Sequence, residues 1–458
     1  MQNVSVFAIS FAVLLLELLL TRVFSVVMFH HFSFLAVSLA MTGLGLGGLI
    51  VNLRPRLFRR DNIDRSVPLL ALGFGVSALV AIGVAFHTAV RLEDTAQNWQ
   101  RVSLVLAASV VPFSFAGLML AHILAFAGER IPRLYFFDLL GAALACFVMV
   151  PLTGWMGAPS ALLATAGIGV ASGAVLARRG GMPLVCAVFA LVLVVGAGVN
   201  VSSRFIDLRF AKGGAASPTL VTRWNSFSRV EVRGTAADLE RTRAPVSWGF
   251  SSRLAVRAKE LHLLYDADAM TQIVGFDGDP KNVGYLLWDV TSAAHQLKLH
   301  PSVLVIGSGG GRDVLAALAA GSKTVTGVEI NDITVGLLQN EFRDYTHGLY
   351  SGYPGVTIRN EDGRSFVRRT GDRYDLIQAS LVDTWAASSA GAYSLTENSL
   401  YTVEAFGDYL DKLTDDGVVS FSRWYATPPT EVARTLSLIH ISEPTRLRRI
   451  SYAVFCLK

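Results

Sequence analysis

Apolar stretches long enough to cross a bilayer recur through the first two hundred residues of the chain and then stop. A membrane-spanning helix needs about 20 mostly apolar residues. By this measure the pattern predicts seven spans, near residues 4–26, 33–52, 68–86, 102–126, 134–152, 160–177 and 182–201. The sixth span is the weakest, because it is short and rich in Gly and Ala. Residues 1–203 are therefore interpreted as a transmembrane domain of six or seven spans.

From about Arg204 the pattern changes to short strands and amphipathic helices. The segments 224–232 (WNSFSRVEV) and 262–270 (HLLYDADAM) alternate like strands, which indicates a small β subdomain and linker over residues 204–298. Strand and helix then alternate over residues 299–435, as in a doubly wound, mainly parallel α/β sheet. Its strands are predicted at 303–306, 324–331, 356–366, 374–383 and 417–424, with helices running to Ala320, near 332–343 and near 399–413.

Charged residues are also distributed differently in the two halves of the chain. Residues 1–200 contain 12 Arg, no Lys and 7 acidic residues, whereas residues 201–458 contain 28 basic and 28 acidic residues. The net charge of +5 therefore belongs to the apolar half, and the soluble half has no basic excess for nucleic acid. The three Cys form no disulfide framework and no Cys-type metal spacing. We expect a lipid bilayer as partner, no nucleic acid and no metal.

Arginine-rich connections bear on the orientation of the spans. Segment 54–65 holds five Arg, and two further basic connections follow at 130–133 and 178–179. The positive-inside rule places all three in the cytoplasm. Seven full spans then put the soluble half outside, whereas six spans, with 160–177 re-entrant or peripheral, put it in the cytoplasm. We favour the cytoplasm, in a multi-pass protein of a bacterial-type inner membrane.

A few ionisable residues lie in or beside the predicted spans. Glu17 and Arg22 are about 140° apart around a helix and do not naturally pair within it. Arg22 and Asp138 lie near span ends, where snorkelling or capping is enough to accommodate a charge. His30 and His31 lie in a short connection, where an interfacial position is favoured over metal binding. We expect structural roles for these residues.

A glycine turn follows the first strand of the α/β region, where a ligand meets backbone N–H groups and the start of a helix. The dinucleotide pattern G-x-G-x-x-G fails here, because position 312 is Arg. The remaining G-x-G-x-G pattern is typical of S-adenosylmethionine-binding, methyltransferase-type Rossmann-like folds. Its glycines are Gly307, Gly309 and Gly311.

Two acids accompany the turn at the ends of the following strands. Glu329, 20 residues after Gly309, can accept both hydroxyls of a ribose, and Asp362 can accept an adenine amino group. Alone, a strand-end acid often only caps the next helix. Together with the glycine turn, in order and spacing, they predict a nucleoside pocket.

Several motifs over residues 218–425 resemble a known family. VLVIGSGGGRD, VEIND, EDGRSF, YDLI and NSLYTVEAF are similar to the spermidine-synthase-like aminopropyltransferases in their membrane-fused form. The resemblance implies S-adenosylmethionine or its decarboxylated form as co-substrate, without a metal. It also implies transfer of an alkyl group from the sulfonium to an amine or polyamine acceptor.

The sequence departs from this family at the carboxylates that handle amines. The glycine-loop acid falls on Gly310 and the later acid falls on Ser380, while a glutamine of the family falls on Ser228. The family's Tyr-His pair, expected around residues 284–295, is not assigned to particular residues. Asp383 is the nearest remaining carboxylate and matches the second acid of the family's motif, so Asp383 and Ser380 are the candidate catalytic residues. Acceptor-side candidates in the following loop are Tyr393, Thr396 and Glu397.

Three functions stay open from the sequence. The first is a membrane-bound spermidine-synthase-like transferase that alkylates an amine. The second is an S-adenosylmethionine-dependent methyltransferase, which the loss of both amine-handling acids favours. The third is a transporter or sensor that binds a nucleoside without catalysis. A homo-oligomer is compatible with each of them.

The last 23 residues do not continue the pattern of the domain. The blocks LSLIHISEPTR (436–446) and ISYAVFCLK (450–458) are similar to in-frame translations of a common sequencing-library adaptor. Leu447–Arg449 would occupy the position of its variable index. We therefore expect residues 436–458 to be a read-through artefact and the native chain to be longer.

Overall fold

The computed structural model describes residues 1–29, 32–176, 181–247, 249–250, 254–382, 399–424, 427–442 and 454–457. A bundle of helices leads into a small antiparallel β subdomain and then into an α/β domain with a parallel sheet. Six helices of the described bundle are long and apolar enough to cross a membrane. They are α1 (Gln2–Val27), α2 (Leu35–Leu53), α3 (Ile63–His87), α4 (Ala96–Ala125), α5 (Ile131–Leu176) and α6 (Met182–Ser203).

Helix α5 is a hairpin of two arms. Its residue Asp138 accepts a hydrogen bond from Ser10, and the carbonyl of Ser172 accepts one from Ser5 at 2.8 Å. Along a straight helix Asp138 and Ser172 would be about 51 Å apart, whereas their partners in α1 are separated by only about 7.5 Å. The chain reverses at Gly157, which has φ 72° and ψ 160°. The described part of the bundle therefore consists of seven helical segments that run back and forth.

The returning arm of α5 is an integral part of the bundle. Residues 158–176 are about 28 Å long, close to the hydrocarbon thickness of about 30 Å. Residues 158–167 are all buried. Small residues allow the close packing, since a Cβ added at Gly173 would lie 2.6 Å from that of Ala71 in α3. The sixth predicted segment is therefore packed within the bundle.

The β subdomain lies at one end of this bundle. The Lys212 N–H donates to the carbonyl of Val27 at 2.8 Å, and the Arg209 N–H donates to that of Phe86 at 3.1 Å, so the C-terminal ends of α1 and α3 meet it. Segment 54–65 joins the other end of α3 to α2. The arginine-rich connection and the soluble part of the chain therefore lie at opposite ends of the bundle.

The β subdomain differs from its sequence prediction in where the strands end. Segments 224–232 and 262–270 are each interrupted by a turn, so each belongs to a hairpin. Asn225 makes the first turn by accepting hydrogen bonds from the N–H groups of Phe227 and Ser228, and Asp266 makes the second with φ 49°. The strands are β1 (Phe210–Ala211), β2 (Gly214–Ala215), β3 (Thr219–Trp224), β4 (Arg229–Arg233), β5 (Thr242–Arg243), β6 (Ala258–Tyr265) and β7 (Ala269–Val274).

The α/β domain has the predicted alternation of strands and helices. Its described strands are β8 (Ser302–Ile306), β9 (Thr324–Glu329), β10 (Val356–Asn360), β11 (Tyr374–Ser380), β12 (Leu413–Trp424) and β13 (Val454–Leu457). They pair in parallel in the order β10-β9-β8-β11-β12-β13, so the order reverses between β8 and β11, where ligands of such sheets bind. The helices are α7 (Arg312–Ala319), α8 (Asp332–Gln339), α9 (Gly363–Arg369), α10 (Val403–Asp411) and α11 (Thr430–Ser442).

The ionisable residues of the bundle have identifiable surroundings. The sequence predicts that Arg22 snorkels or is capped at a span end. In the structure Arg22 is fully buried and pairs with Asp266 of the β subdomain at 3.0 Å. The same Asp266 oxygen accepts the Arg229 N–H at 2.8 Å. As predicted, Arg22 does not pair with Glu17. His30 and His31 lie outside the described residues.

We predict that Asp266→Ala strongly destabilises the full chain, because it removes the acceptor of a buried guanidinium. A buried pair that loses one partner typically costs about 3–5 kcal/mol. Asp268→Ala is the matched control, since Asp268 is 37% exposed where it binds Lys212 and should contribute less than about 1 kcal/mol. Thermal unfolding in detergent measures both. Equal shifts for the two variants would contradict the prediction.

Candidate functional site at the glycine turn

The three glycines predicted from sequence form the turn between β8 and α7. Gly307, Gly309 and Gly311 have φ values of 71°, 51° and 90°, a region that glycine adopts without strain. The Gly309 N–H donates to Oε2 of Glu329 at 2.8 Å. The turn and the acid at the end of β9 are thus brought together.

Glu329 is buried and held at both oxygens. Its Oε1 accepts the Asn331 N–H at 2.9 Å, and the Asn331 side chain donates to the hydroxyl of Ser228 at 2.8 Å. Burial raises the pKa of Glu329, and the backbone hydrogen bonds from Asn331 and Gly309 oppose this effect. Each carboxylate oxygen has a second lone pair, so the group can still accept two further donors. Ser228, noted in the sequence for the family's glutamine, lies next to this site.

Asp362 lies at the same edge of the sheet. Strand β10 pairs in parallel with β9, with Asn360 opposite Glu329, and Asp362 follows two residues later. Its Oδ1 accepts the Ser365 N–H at 2.8 Å, which caps α9. The helix-capping interpretation is therefore correct for one oxygen of this side chain. Its partial exposure leaves the carboxylate accessible to a ligand.

Position 310 has no space for a side chain. A Cβ added to Gly310 would lie 2.1 Å from the backbone oxygen of Gln272 in β7, which is far inside van der Waals contact. The Gly310 N–H donates to the hydroxyl of Thr271 at 3.2 Å, and Gly311 bridges to Ile273. Strand β7 thus occupies the volume in which the resemblance would place an acid.

Tyr350 completes the turn and was not predicted from the sequence. Its hydroxyl lies 2.9 Å from both the Ser308 hydroxyl and the Gly309 carbonyl. Tyr350 lies in the connection between α8 and β10, which follows no recognisable motif. No local signal could have identified this contact, because it depends on how that connection packs.

The structure describes only one of the two candidate catalytic residues. Ser380 ends β11, and its hydroxyl accepts a hydrogen bond from the Gln378 amide at 2.9 Å. Asp383 lies outside the described residues, and so do the acceptor-side candidates Tyr393, Thr396 and Glu397. Their predicted roles stay predictions.

Comparison with known proteins finds only weak structural similarity. No protein-family model matches the sequence, and no curated protein matches it. A spermidine synthase solved in complex with the transition-state analogue AdoDATO is 15% identical with a TM-score of 0.32, over 50% of this chain and 63% of that one. The spermidine synthase from Thermotoga maritima is 16% identical with a TM-score of 0.29, over 44% and 55%. The chain thus spans less than two thirds of both structures, and a shared activity does not follow from the likeness.

We predict that Gly310→Asp destabilises the chain by at least about 1–3 kcal/mol, because β7 would have to move away from the glycine turn. Gly336→Ala in α8 is the matched control, since an added Cβ there has no neighbour within 4 Å. That change should be neutral or stabilising by about 0.5–1 kcal/mol, as a helix interior favours Ala. Thermal unfolding measures both variants. A Gly310→Asp variant as stable as the parent would show that the turn and β7 separate easily.

Proposed function

We propose that this chain is a membrane-bound transferase that takes an alkyl group from a sulfonium nucleoside, S-adenosylmethionine or its decarboxylated form, and passes it to an amine. The observation that carries the proposal is the hydrogen bond between Gly309 and Glu329, with Asp362 at the same sheet edge. A glycine turn and an acid after the second strand are the groups with which such α/β folds bind a nucleotide, and the acid after the third strand adds an acceptor at the same edge.

The donor and acceptor groups fit a nucleoside. Glu329 is fixed by two backbone N–H groups and keeps lone pairs for both hydroxyls of a ribose. Asp362 uses one oxygen for its helix cap, which leaves the other for an adenine amino group. When bound, the sulfonium supplies an activated alkyl carbon. The chain's own contribution is to fix the nucleoside and to bring the amine into line with that carbon.

We predict that the full chain binds S-adenosylmethionine, decarboxylated S-adenosylmethionine or methylthioadenosine in calorimetry. Glu329→Gln should weaken binding by about tenfold or more, since a charged acceptor of two ribose hydroxyls is lost. Glu240→Gln is the matched control, because the Glu240 carboxylate is 82% exposed where it binds Lys259. The nucleoside affinity of this variant should equal that of the parent. If the parent binds none of the three nucleosides, the proposal is wrong.

Methyl transfer is the alternative reaction on the same site. It is supported by Gly310, which has no room for the family's amine-binding acid. Incubation with candidate acceptors followed by mass measurement distinguishes an added methyl from an added aminopropyl group. Either product would establish a transferase.

A second candidate function, nucleoside binding without turnover, is supported by the charge of the bundle. The arginine-rich segment 54–65 lies at the end opposite the α/β domain. Under the positive-inside rule, seven passes then put that domain outside the cytoplasm, against the preference stated from sequence. S-adenosylmethionine is made in the cytoplasm, so an outward-facing domain favours recognition of a nucleoside delivered from outside.

We predict that the α/β domain and the arginine-rich loop react from opposite sides of the membrane. Single cysteines at Asp61 and Glu240, in a chain without its three native Cys, would be probed with a membrane-impermeant maleimide on spheroplasts. One of the two cysteines should be labelled directly and the other only after permeabilisation, and direct labelling at 240 would favour the binding protein. The reverse pattern would place the domain in the cytoplasm and would favour the transferase over the binding protein.

A further inference from the structure

The end of the bundle opposite the β subdomain has a high density of positive charge. His122, near the C-terminus of α4, contacts the carbonyl of Arg59 in the segment between α2 and α3. The segment that leads into α5 follows α4 directly, so it lies at the same end. Residues 54–65 and 127–133 together contain seven Arg against Asp61, Asp64 and Glu129. We refer to these two segments as the arginine cluster.

The positive charge of the arginine cluster is largely uncompensated. All seven arginines are exposed. Among the described residues the cluster has one ion pair, from Arg59 to Asp61 at 3.2 Å, and so exposed a pair contributes little. By contrast, segment 88–95 at the β-subdomain end has one Arg and two acids, and its Arg91 pairs with Glu93. The cluster is therefore suited to an external anion.

Contacts with α4 hold the longer segment of the cluster in place. The fully buried His122 has its Nε2 3.1 Å from the Arg59 carbonyl and its Nδ1 2.9 Å from the Ser66 hydroxyl. Phe58 and Phe126 pack edge-on against the same ring, with centroids 5.3 and 5.8 Å away. A loop that only orients the spans needs positive charge but no fixed shape. A fixed backbone lowers the entropic cost of binding a ligand.

Exposed apolar side chains accompany these charges. Leu53 at the end of α2 and Leu57 within the arginine segment are each more than 60% exposed. Tyr135 and Phe136, near the start of α5, are more than half exposed. Aromatic residues at span ends are typical of the level where lipid headgroups meet acyl chains. The cluster thus combines cations with apolar surface that a free anion cannot use.

We propose that the arginine cluster binds the phosphodiester headgroup of an anionic phospholipid. Guanidinium groups bind phosphate oxygens in a bidentate manner, and basic clusters next to a span are the usual sites for anionic lipids. A bound headgroup would bridge the end of α2 and the starts of α3 and α5, and would thereby stabilise the bundle. The inference rests on the membrane-bound part of the proposed function and is independent of group transfer.

Native mass spectrometry of the full chain in detergent tests the site, with phosphatidylglycerol and phosphatidylcholine of equal acyl chains as probes. The parent should bind phosphatidylglycerol at least about tenfold more tightly. The double variant Arg56→Gln with Arg60→Gln should lose about tenfold or more of this affinity, since two exposed cations are removed. Arg91→Gln with Arg241→Gln is the matched control, because these exposed arginines lie outside the cluster. Its lipid affinity should equal that of the parent.

Competition and salt distinguish a lipid from a free anion. Inorganic phosphate at the same concentration as the lipid should not displace phosphatidylglycerol, because phosphate makes no apolar contacts. Leu57→Ser should weaken lipid binding by about threefold or more for the same reason. Raising NaCl from about 50 to about 500 mM should weaken phosphatidylglycerol binding and leave phosphatidylcholine binding unchanged. Displacement by phosphate, or unchanged lipid affinity in Leu57→Ser, would overturn the lipid as the ligand.

The outcomes separate this inference from the proposed function. A parent that binds both lipids equally, or a double variant at positions 56 and 60 that keeps the parent's preference, overturns the lipid site and leaves nucleoside binding standing. Arginine-dependent lipid binding in a chain that binds no nucleoside supports the lipid site and overturns the transferase. If the double variant fails to fold, the lipid preference of the parent and its salt dependence still decide the question.

Discussion

The close approach of β7 to the glycine turn is the contact on which the rest of the site depends. Gly310 lies directly over the Gln272 carbonyl, so backbone meets backbone with no side chain between them. This contact fixes the turn that directs the Gly309 N–H to Glu329. The same contact removes the volume for an acid at position 310. A side chain at position 310 therefore cannot be accommodated without moving the β subdomain.

A chain of buried polar contacts connects the helical bundle to the site. Arg22 at the end of α1 binds Asp266, which in turn holds the start of β4. The turn before β4 presents Ser228 to Asn331, whose N–H binds Glu329. Breaking one partner of such a buried pair leaves an uncompensated charge, so this coupling tolerates little displacement. The β subdomain thus connects the bundle to the glycine turn through buried polar contacts.

The parts of the fold that depend on local pattern were predictable, and those that depend on packing were not. The end of β9 at Glu329 followed from alternation and spacing, whereas Asp266 was placed within a strand because a short polar turn does not interrupt the hydrophobic pattern. Gly157 followed by Ala-Pro was a visible signal for the reversal of α5, but the pattern could not show that the returning arm packs inside the bundle. Tyr350 reaches the glycine turn only through tertiary contacts, which no local motif encodes.

The polar face at the carboxyl ends of β11 and β12 is costly for the fold. Each buried polar group without a partner typically costs about 1–3 kcal/mol, and apolar side chains would fill the same space without that cost. Here the cost is reduced, because the Gln378 amide nitrogen donates to the Thr291 carbonyl and to the Ser380 hydroxyl. Arg312 would be the simplest counterion for Asp313, yet it is bound to Asp289. Asp313 in the first turn of α7 interacts with Gln378 and Ser380 of this face, so the helix that follows the glycine turn is held by polar contacts as well as by apolar packing.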